Sequence, residues 1–243
     1  MQGKNILIVG ASQGIGKGIA EYLVSLECNV ILVARNKEKL QKIQEKNPKH
    51  IWIYSYDVKD IEHVENVFVF CLKNGLKLDG MVYCAGETSN CPIKLVSSEN
   101  IVDMYSVNVF GYAQMVRFFG LKKYSNAGSS VVAISSLAAL KCEKSMSVYA
   151  SSKAAMNAMT STFAKELISK KIRVNAIAPA AVDTSMYEQT LTSIEDYEEY
   201  LLKSQPLGVI PIDQVVNLVY FLLSPQSEYI TGTVIPISAG MDI

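Results

Sequence analysis

The run Asn5-Ile6-Leu7-Ile8-Val9-Gly10-Ala11-Ser12-Gln13-Gly14-Ile15-Gly16 joins a short apolar segment to three glycines and then to a helix-like pattern over 15–26. Five consecutive strand-forming residues predict a buried strand, and the 3.6-residue apolar period that follows predicts a helix. Glycine lets the backbone turn tightly and approach a phosphate without a Cβ collision. The helix start adds free N–H groups and a positive dipole end. The spacing is G-x-x-x-G-x-G rather than the more familiar G-x-G-x-x-G. Its place between strand and helix makes Gly10, Ser12, Gln13, Gly14, Ile15 and Gly16 candidates for cradling the phosphates of a dinucleotide.

Outward from this turn, the same alternation repeats. Strands are predicted at 29–34, 51–55, 79–83, 130–134, 172–177 and 233–237, and helices at 37–46, 60–74, 98–123, 148–170 and 212–223. Strands that read as continuous apolar runs are covered on both faces, as parallel sheets require. The expected fold is therefore α/β, a doubly wound, Rossmann-like parallel sheet of about seven strands with helices on both faces. No linker or repeat divides the chain, so one domain over 1–243 is expected. The stretch 184–205 breaks the rhythm with Glu188, Glu195, Asp196, Glu198 and Glu199 among Tyr and Leu. It reads either as a solvated acidic helix or as a substrate lid.

Composition narrows the function. Lys plus Arg and Asp plus Glu are both 23, so the formal charge is zero, which argues against a nucleic-acid binder. No apolar run approaches the ~18 residues of a membrane span, and no signal peptide is visible at the start; a soluble, cytoplasmic chain is expected. Five scattered cysteines without a C-x-x-C pair, and His50 and His63 far from any co-ligand, argue against a metal site or a disulfide framework. Both histidines are expected at the surface.

At the end of the second predicted strand stand Arg35 and Asn36, with no carboxylate to accept from ribose hydroxyls. A guanidinium suits a 2′-phosphate, so NADP(H) is expected over NAD(H). Further on, Tyr149 and Lys153 lie four apart on a helix and share a face. A neighbouring ammonium would lower the phenol pKa and let Tyr149 act as general acid/base. Ser136 follows a strand whose C-terminal end faces the ligand crevice, 13 residues before Tyr149. Asn108, between apolar neighbours in the predicted helix 98–123, is either a satisfied core amide or the holder of an ordered water.

Taken together and in order, Gly10-x-x-x-Gly14-x-Gly16, Asp57-Val58, Ala85-Gly86, Asn108, Ser136, Tyr149-x-x-x-Lys153 and Pro179 to Thr184 resemble the short-chain dehydrogenase/reductase family along essentially the whole chain. The resemblance implies Tyr149 as acid/base, Lys153 on the nicotinamide ribose, Ser136 orienting the substrate carbonyl and Asn108 holding a relay water. It further implies Asp57 and Val58 near the adenine, Ala85 and Gly86 along the adenosine and ribose, Val182 and Thr184 on the nicotinamide carboxamide or a nearby phosphate, and Pro179 among the cofactor-binding residues. Four positions depart from the family's pattern: Val9 for Thr, Tyr83-Cys84 for Asn-Asn, Ala180 for Gly, and Ser238-Ala239-Gly240 for Asp-Gly-Gly.

The implied activity is hydride transfer between NADP(H) and a carbonyl or secondary alcohol on a small molecule. One specific form is reduction of a 3-oxoacyl group on a carrier protein, for which Lys122, Lys123, Lys165, Lys170 and Lys171 offer a docking patch, or plain solvated helix ends. The alternative from another class is a silent NADP(H)-binding sensor or scaffold. A sugar-nucleotide epimerase would need a substrate domain that the residues after 178 are too few to build. The resemblance also implies a homotetramer or homodimer. Met115, Phe118, Met156, Met159 and Phe163 would either form its interface or pack on the sheet.

Overall fold

The computed structural model describes residues 1–193 and 197–242. Its strands are β1 (Asn5–Val9), β2 (Asn29–Ala34), β3 (Ile51–Ser55), β4 (Leu78–Tyr83), β5 (Ser125–Ile134), β6 (Arg173–Pro179) and β7 (Val234–Ile237). Every pairing is parallel and the order is 3-2-1-4-5-6-7. From β1 the chain builds outward to β3, then crosses back to start the other half at β4. The reversal between β1 and β4 opens a crevice at their C-terminal ends, where ligands bind in sheets of this kind.

Helices α1 (Gly14–Ser25), α2 (Lys37–Gln44), α3 (Glu65–Lys73), α4 (Ser98–Tyr105), α5 (Tyr112–Phe119), α6 (Ala138–Lys141), α7 (Ser147–Leu167), α8 (Ser185–Ser193), α9 (Tyr197–Ser204) and α10 (Ile212–Leu223) make the connections. Side chains alternate across a strand, so each strand feeds two cores. Leu7, Val9, Ile31, Val33 and Val131 pack with Phe68, Tyr112, Met115 and Met156 from α3, α5 and α7. Ile6, Ile8, Val30, Leu32 and Val132 pack with Ile19, Leu40, Val216 and Leu222 from α1, α2 and α10. Each such aliphatic side chain contributes roughly 1.5–3 kcal/mol relative to exposure.

Two sequence expectations change here. The helix expected at 98–123 is not continuous. It starts at a capping box, in which Ser97 accepts from the Asn100 N–H and the Asn100 side chain accepts from the Ser97 N–H. It then widens into a π-helical segment at Ser106–Gly111 and ends at Phe119. Such segments arise where a neighbour intrudes on the helix. The intruder is Tyr83, whose buried hydroxyl donates to the Val107 carbonyl at 2.5 Å. A Cβ on Gly111 would stand 2.6 Å from that hydroxyl, so glycine is required for the two to pass.

The second change concerns the apolar residues considered for an interface. Met115, Phe118 and Met156 are buried within the chain, and Met159 and Phe163 pack on the same core, so all five serve the sheet. His63 is exposed, whereas His50 is half-buried against the Asn29 side-chain oxygen. The 184–205 stretch forms α8 and α9, with Glu195 and Asp196 outside the described residues. No helix among the described residues is long and apolar enough to cross a membrane, and no group of three or more possible metal ligands occurs among them.

Candidate active site

A cleft of about 330 Å³ lies at the C-terminal ends of β1, β2 and β4. Backbone builds its floor. The Gly10 N–H donates to Val33 O at 2.8 Å and the Cys84 N–H to Val9 O at 2.8 Å, which stitches the loops after β1 and β4 to their neighbours. A Cβ on Gly10 would meet the Ala85 nitrogen at 2.5 Å, and one on Gly16 would meet the Gly10 oxygen at 2.3 Å. Gly14 sits at φ +54, in the left-handed region. No side chain caps the first turn of α1, so its N–H groups face the cleft free of side-chain partners. This is a cradle for a diphosphate.

Of the sequence candidates, Gly10, Ser12, Gln13, Gly14, Ile15, Gly16, Arg35, Asn36, Asp57, Val58, Ala85, Gly86 and Thr184 line the cleft. Asn36 also caps α2, accepting from the Lys39 N–H at 2.9 Å. Thr184 approaches Gly14 closely enough that a Cβ there would lie 3.5 Å from its methyl. Pro179 and Val182 do not line it. Pro179 O accepts from the Leu137 N–H, and Val182 pairs with Ile210. The departures Val9 and Tyr83 are fully buried. Backbone bonds and the Tyr83–Val107 contact brace the loops there. Ala239 adopts φ +51, a conformation that glycine holds without strain.

Beside the cleft, α7 presents Tyr149 and Lys153, both buried. Burial raises the Tyr149 pKa, and a hydrogen bond with the Ser136 side chain partly offsets that rise. Lys153 donates from Nζ to Ile134 O at 2.9 Å and stands 6.0 Å from the Tyr149 ring centroid. Burial pushes Lys153 down to about 8. Here the amine is held by a carbonyl on β5, and desolvation governs both groups. Gly86 lies against Lys153 and Asn108, since a Cβ on it would be 3.2 Å from Lys153 Nζ and 3.4 Å from Asn108 Oδ1.

Asn108 is buried, and both the oxygen and the nitrogen of its amide have partners. Oδ1 accepts from the Glu87 N–H at 3.0 Å, and Nδ2 donates to Glu87 O at 3.0 Å and Ser152 Oγ at 2.9 Å. It ties the loop after β4 to α7.

Three contributors escaped the sequence reading. Glu87 reaches into the cleft, 3.8 Å from Arg35 and 3.5 Å from Lys59. Lys39 lines the cleft and donates to Gln13 Oε1 at 2.8 Å. Tyr197 and Tyr200 of α9 stack at 6.2 Å; burial, and after it the nearby phenols of Tyr200, Tyr187 and Tyr149, raise the Tyr197 pKa, and Tyr200 donates to Glu143 at 2.9 Å. The one available signal was positional. In the order 2-1-4, residues just past β2 and β4 flank the end of β1. Lys122, Lys123, Lys165, Lys170 and Lys171 instead lie before β5 and β6, at the opposite edge of the sheet. Lys123 pairs with Glu65 there and Lys170 donates to Gly120 O, so they form no patch beside the cleft.

Residues 10–242 match the family described as enoyl-(acyl carrier protein) reductase. The chain is similar to L-xylulose reductase of Caenorhabditis elegans, 34% identical over 98% of this chain and 95% of that one. The chain belongs to the short-chain dehydrogenase/reductase family. Among solved structures, a short-chain type dehydrogenase/reductase from Mycobacterium ulcerans has a TM-score of 0.92 at 28% identity, covering 99% of this chain and 90% of that one. ElxO with NADP bound has a TM-score of 0.88 at 28% identity, over 98% of each chain. As a short-chain dehydrogenase/reductase, the protein is an oxidoreductase that moves a hydride between a nicotinamide cofactor and a carbonyl or alcohol carbon of a small molecule.

Proposed function

We propose that this short-chain dehydrogenase/reductase is an NADP(H)-dependent carbonyl reductase in which Tyr149 is the proton donor. The carrying observation is that α7 presents Tyr149 and Lys153, both buried, with Lys153 Nζ 6.0 Å from the Tyr149 ring centroid, at the margin of a cleft whose backbone accepts a diphosphate. The Gly10–Gly16 cradle and the uncapped start of α1 would hold the diphosphate. Arg35, with Lys39 close by, would take the 2′-phosphate, a role that a forked guanidinium suits. ElxO, a structural neighbour, binds NADP, which supports the same choice.

Bound NADPH supplies a hydride to the substrate carbonyl carbon. The chain's residues manage the oxygen. Ser136 donates a hydrogen bond to it and fixes its distance from the phenol. As charge grows on the oxygen, Tyr149 transfers its proton there. At neutral pH a phenol carries its proton, and burial raises the Tyr149 pKa further, so the group is a proton donor. Lys153, charged below about pH 8, stabilises the phenolate left behind. Asn108 acts through Glu87 and Ser152, holding the loop after β4 against α7.

Tyr149→Phe tests this. Turnover should fall by roughly 10²–10⁴, while NADPH affinity, measured by fluorescence titration, stays within twofold. Retention of wild-type turnover would overturn the role. The substrate side favours a neutral, hydroxylated or aromatic-compatible molecule, because Tyr197 and Tyr200 stand there and the charge of Glu143 is already paired with Lys141 at 3.3 Å. A homo-oligomer is also proposed. Ile101, Val102 and Phe110 are exposed on α4 and the π segment, and sedimentation would measure the assembly.

A further inference from the structure

The end of β2 carries no carboxylate in sequence, yet the fold delivers one to it from the neighbouring loop. Glu87 Oε1 lies 3.8 Å from Arg35 Nη1 and 3.5 Å from Lys59 Nζ, and Lys59 also meets Asp103 at 3.2 Å. The departure point of this side chain is fixed, because Asn108 clamps the Glu87 N–H and C=O, both at 3.0 Å. Its carboxylate remains partly solvated, with 33% of the side chain exposed. Asp57, the other carboxylate lining the cleft, is turned to the Lys59 N–H at 3.0 Å. Both cations that line the cleft therefore already have partners, Arg35 in Glu87 and Lys39 in Gln13.

We propose that Glu87 sets how strongly the cleft discriminates between a phosphorylated and an unphosphorylated adenosine ribose. This rests on the reading of the cleft as an NADP(H) site. A ribose 2′-phosphate must draw Arg35 away from Glu87 and settle near a second anion, which costs affinity. Ribose hydroxyls, in contrast, are donors that the same carboxylate accepts. One side chain thus penalises the phosphorylated form and favours the plain one. The guanidinium at 35 argues for NADP(H), and the carboxylate at 87 narrows that preference, so NAD(H) binds as well. Lys59 limits the penalty: its raised pKa keeps it charged beside both Glu87 and Asp103.

The test uses the full chain and binding alone. Wild type and Glu87→Gln are titrated calorimetrically with 2′,5′-ADP, 5′-AMP, NADPH and NADH. Glutamine keeps the shape and the Asn108 clamp, and unchanged thermal midpoints check the fold. Glu87→Gln should tighten 2′,5′-ADP and NADPH by roughly three- to tenfold, while 5′-AMP and NADH stay the same or weaken. The gain should shrink at about 0.5 M salt, where charge effects between partly solvated groups are screened. An equal shift for all four probes would show a merely structural role and overturn the proposal, as would no shift at all. Wild type that binds none of the four would overturn the cofactor reading, and this inference with it. Wild type that binds NADPH with an unchanged preference in the variant would sink this inference alone.

Discussion

The two walls of the cleft are made differently. The wall after β1 and β4 is backbone, in which Gly10, Gly16 and Ala85 approach so closely that an added methyl would collide at 2.3–2.5 Å. The wall beyond β6 is side chain, with Tyr197 and Tyr200 of α9 stacked at 6.2 Å and the Tyr200 hydroxyl donating to Glu143. Its foot is tied by Gln205, which donates to Ala181 O at 3.1 Å and Gly208 O at 2.7 Å. Backbone recognition suits a ligand part that never changes, such as a diphosphate. Side-chain recognition can be altered one residue at a time, which suits the substrate end.

The sharpest way to break this contrast is Gly16→Ala. The new methyl meets a carbonyl that only a backbone shift can move, so the variant should lose about 1–3 kcal/mol of stability and saturable NADPH binding. A thermal melt and a fluorescence titration read the two. Normal affinity in that variant would show that the backbone wall is soft.

Lys153, at the seam between the walls, gives the next effect. Its folded pKa of about 8 lies below its unfolded value of 10.5. Between about pH 8 and 10.5 the unfolded chain holds a proton that the folded chain has released, so this group makes stability rise with pH across that window. Below pH 8 the cost of burying the ammonium is fully present. Relative to wild type, Lys153→Met should therefore be most stable near pH 7 and lose that advantage progressively up to about pH 10.5. A constant gap between the two thermal midpoints would contradict a depressed lysine.

The smallest effect belongs to the side-chain wall. Tyr200→Phe removes one bond to the exposed Glu143 and should change stability by about 0.2–1 kcal/mol, with kcat/KM within roughly fivefold. A larger loss in kcat/KM would mean that the phenol touches substrate.

Much of the fold was legible because burial on both faces leaves a direct trace. β1, β2 and β3 occupy the stretches that the apolar runs predict, and β4 and β6 differ at their ends only. The π segment was not legible, because its cause is Tyr83 arriving from another element. The cofactor half of the site could be read from glycines, whose need for space is local. The partner of Lys153 was not legible, for the opposite reason. Four-residue spacing gives proximity on a helix, but it does not say that Ile134 O will take the lysine.

Sequence by itself determined the parallel sheet, the turn that receives a diphosphate, and the residue types at the reacting centre, since each depends on local periodicity or on side-chain chemistry. Only the tertiary structure decided which charges meet. The strand order brings Glu87 to Arg35, carries the lysines before β5 and β6 to the far edge, and turns the Asn108 amide inward. Distances between residues remote in the chain follow from packing, and no local pattern encodes them.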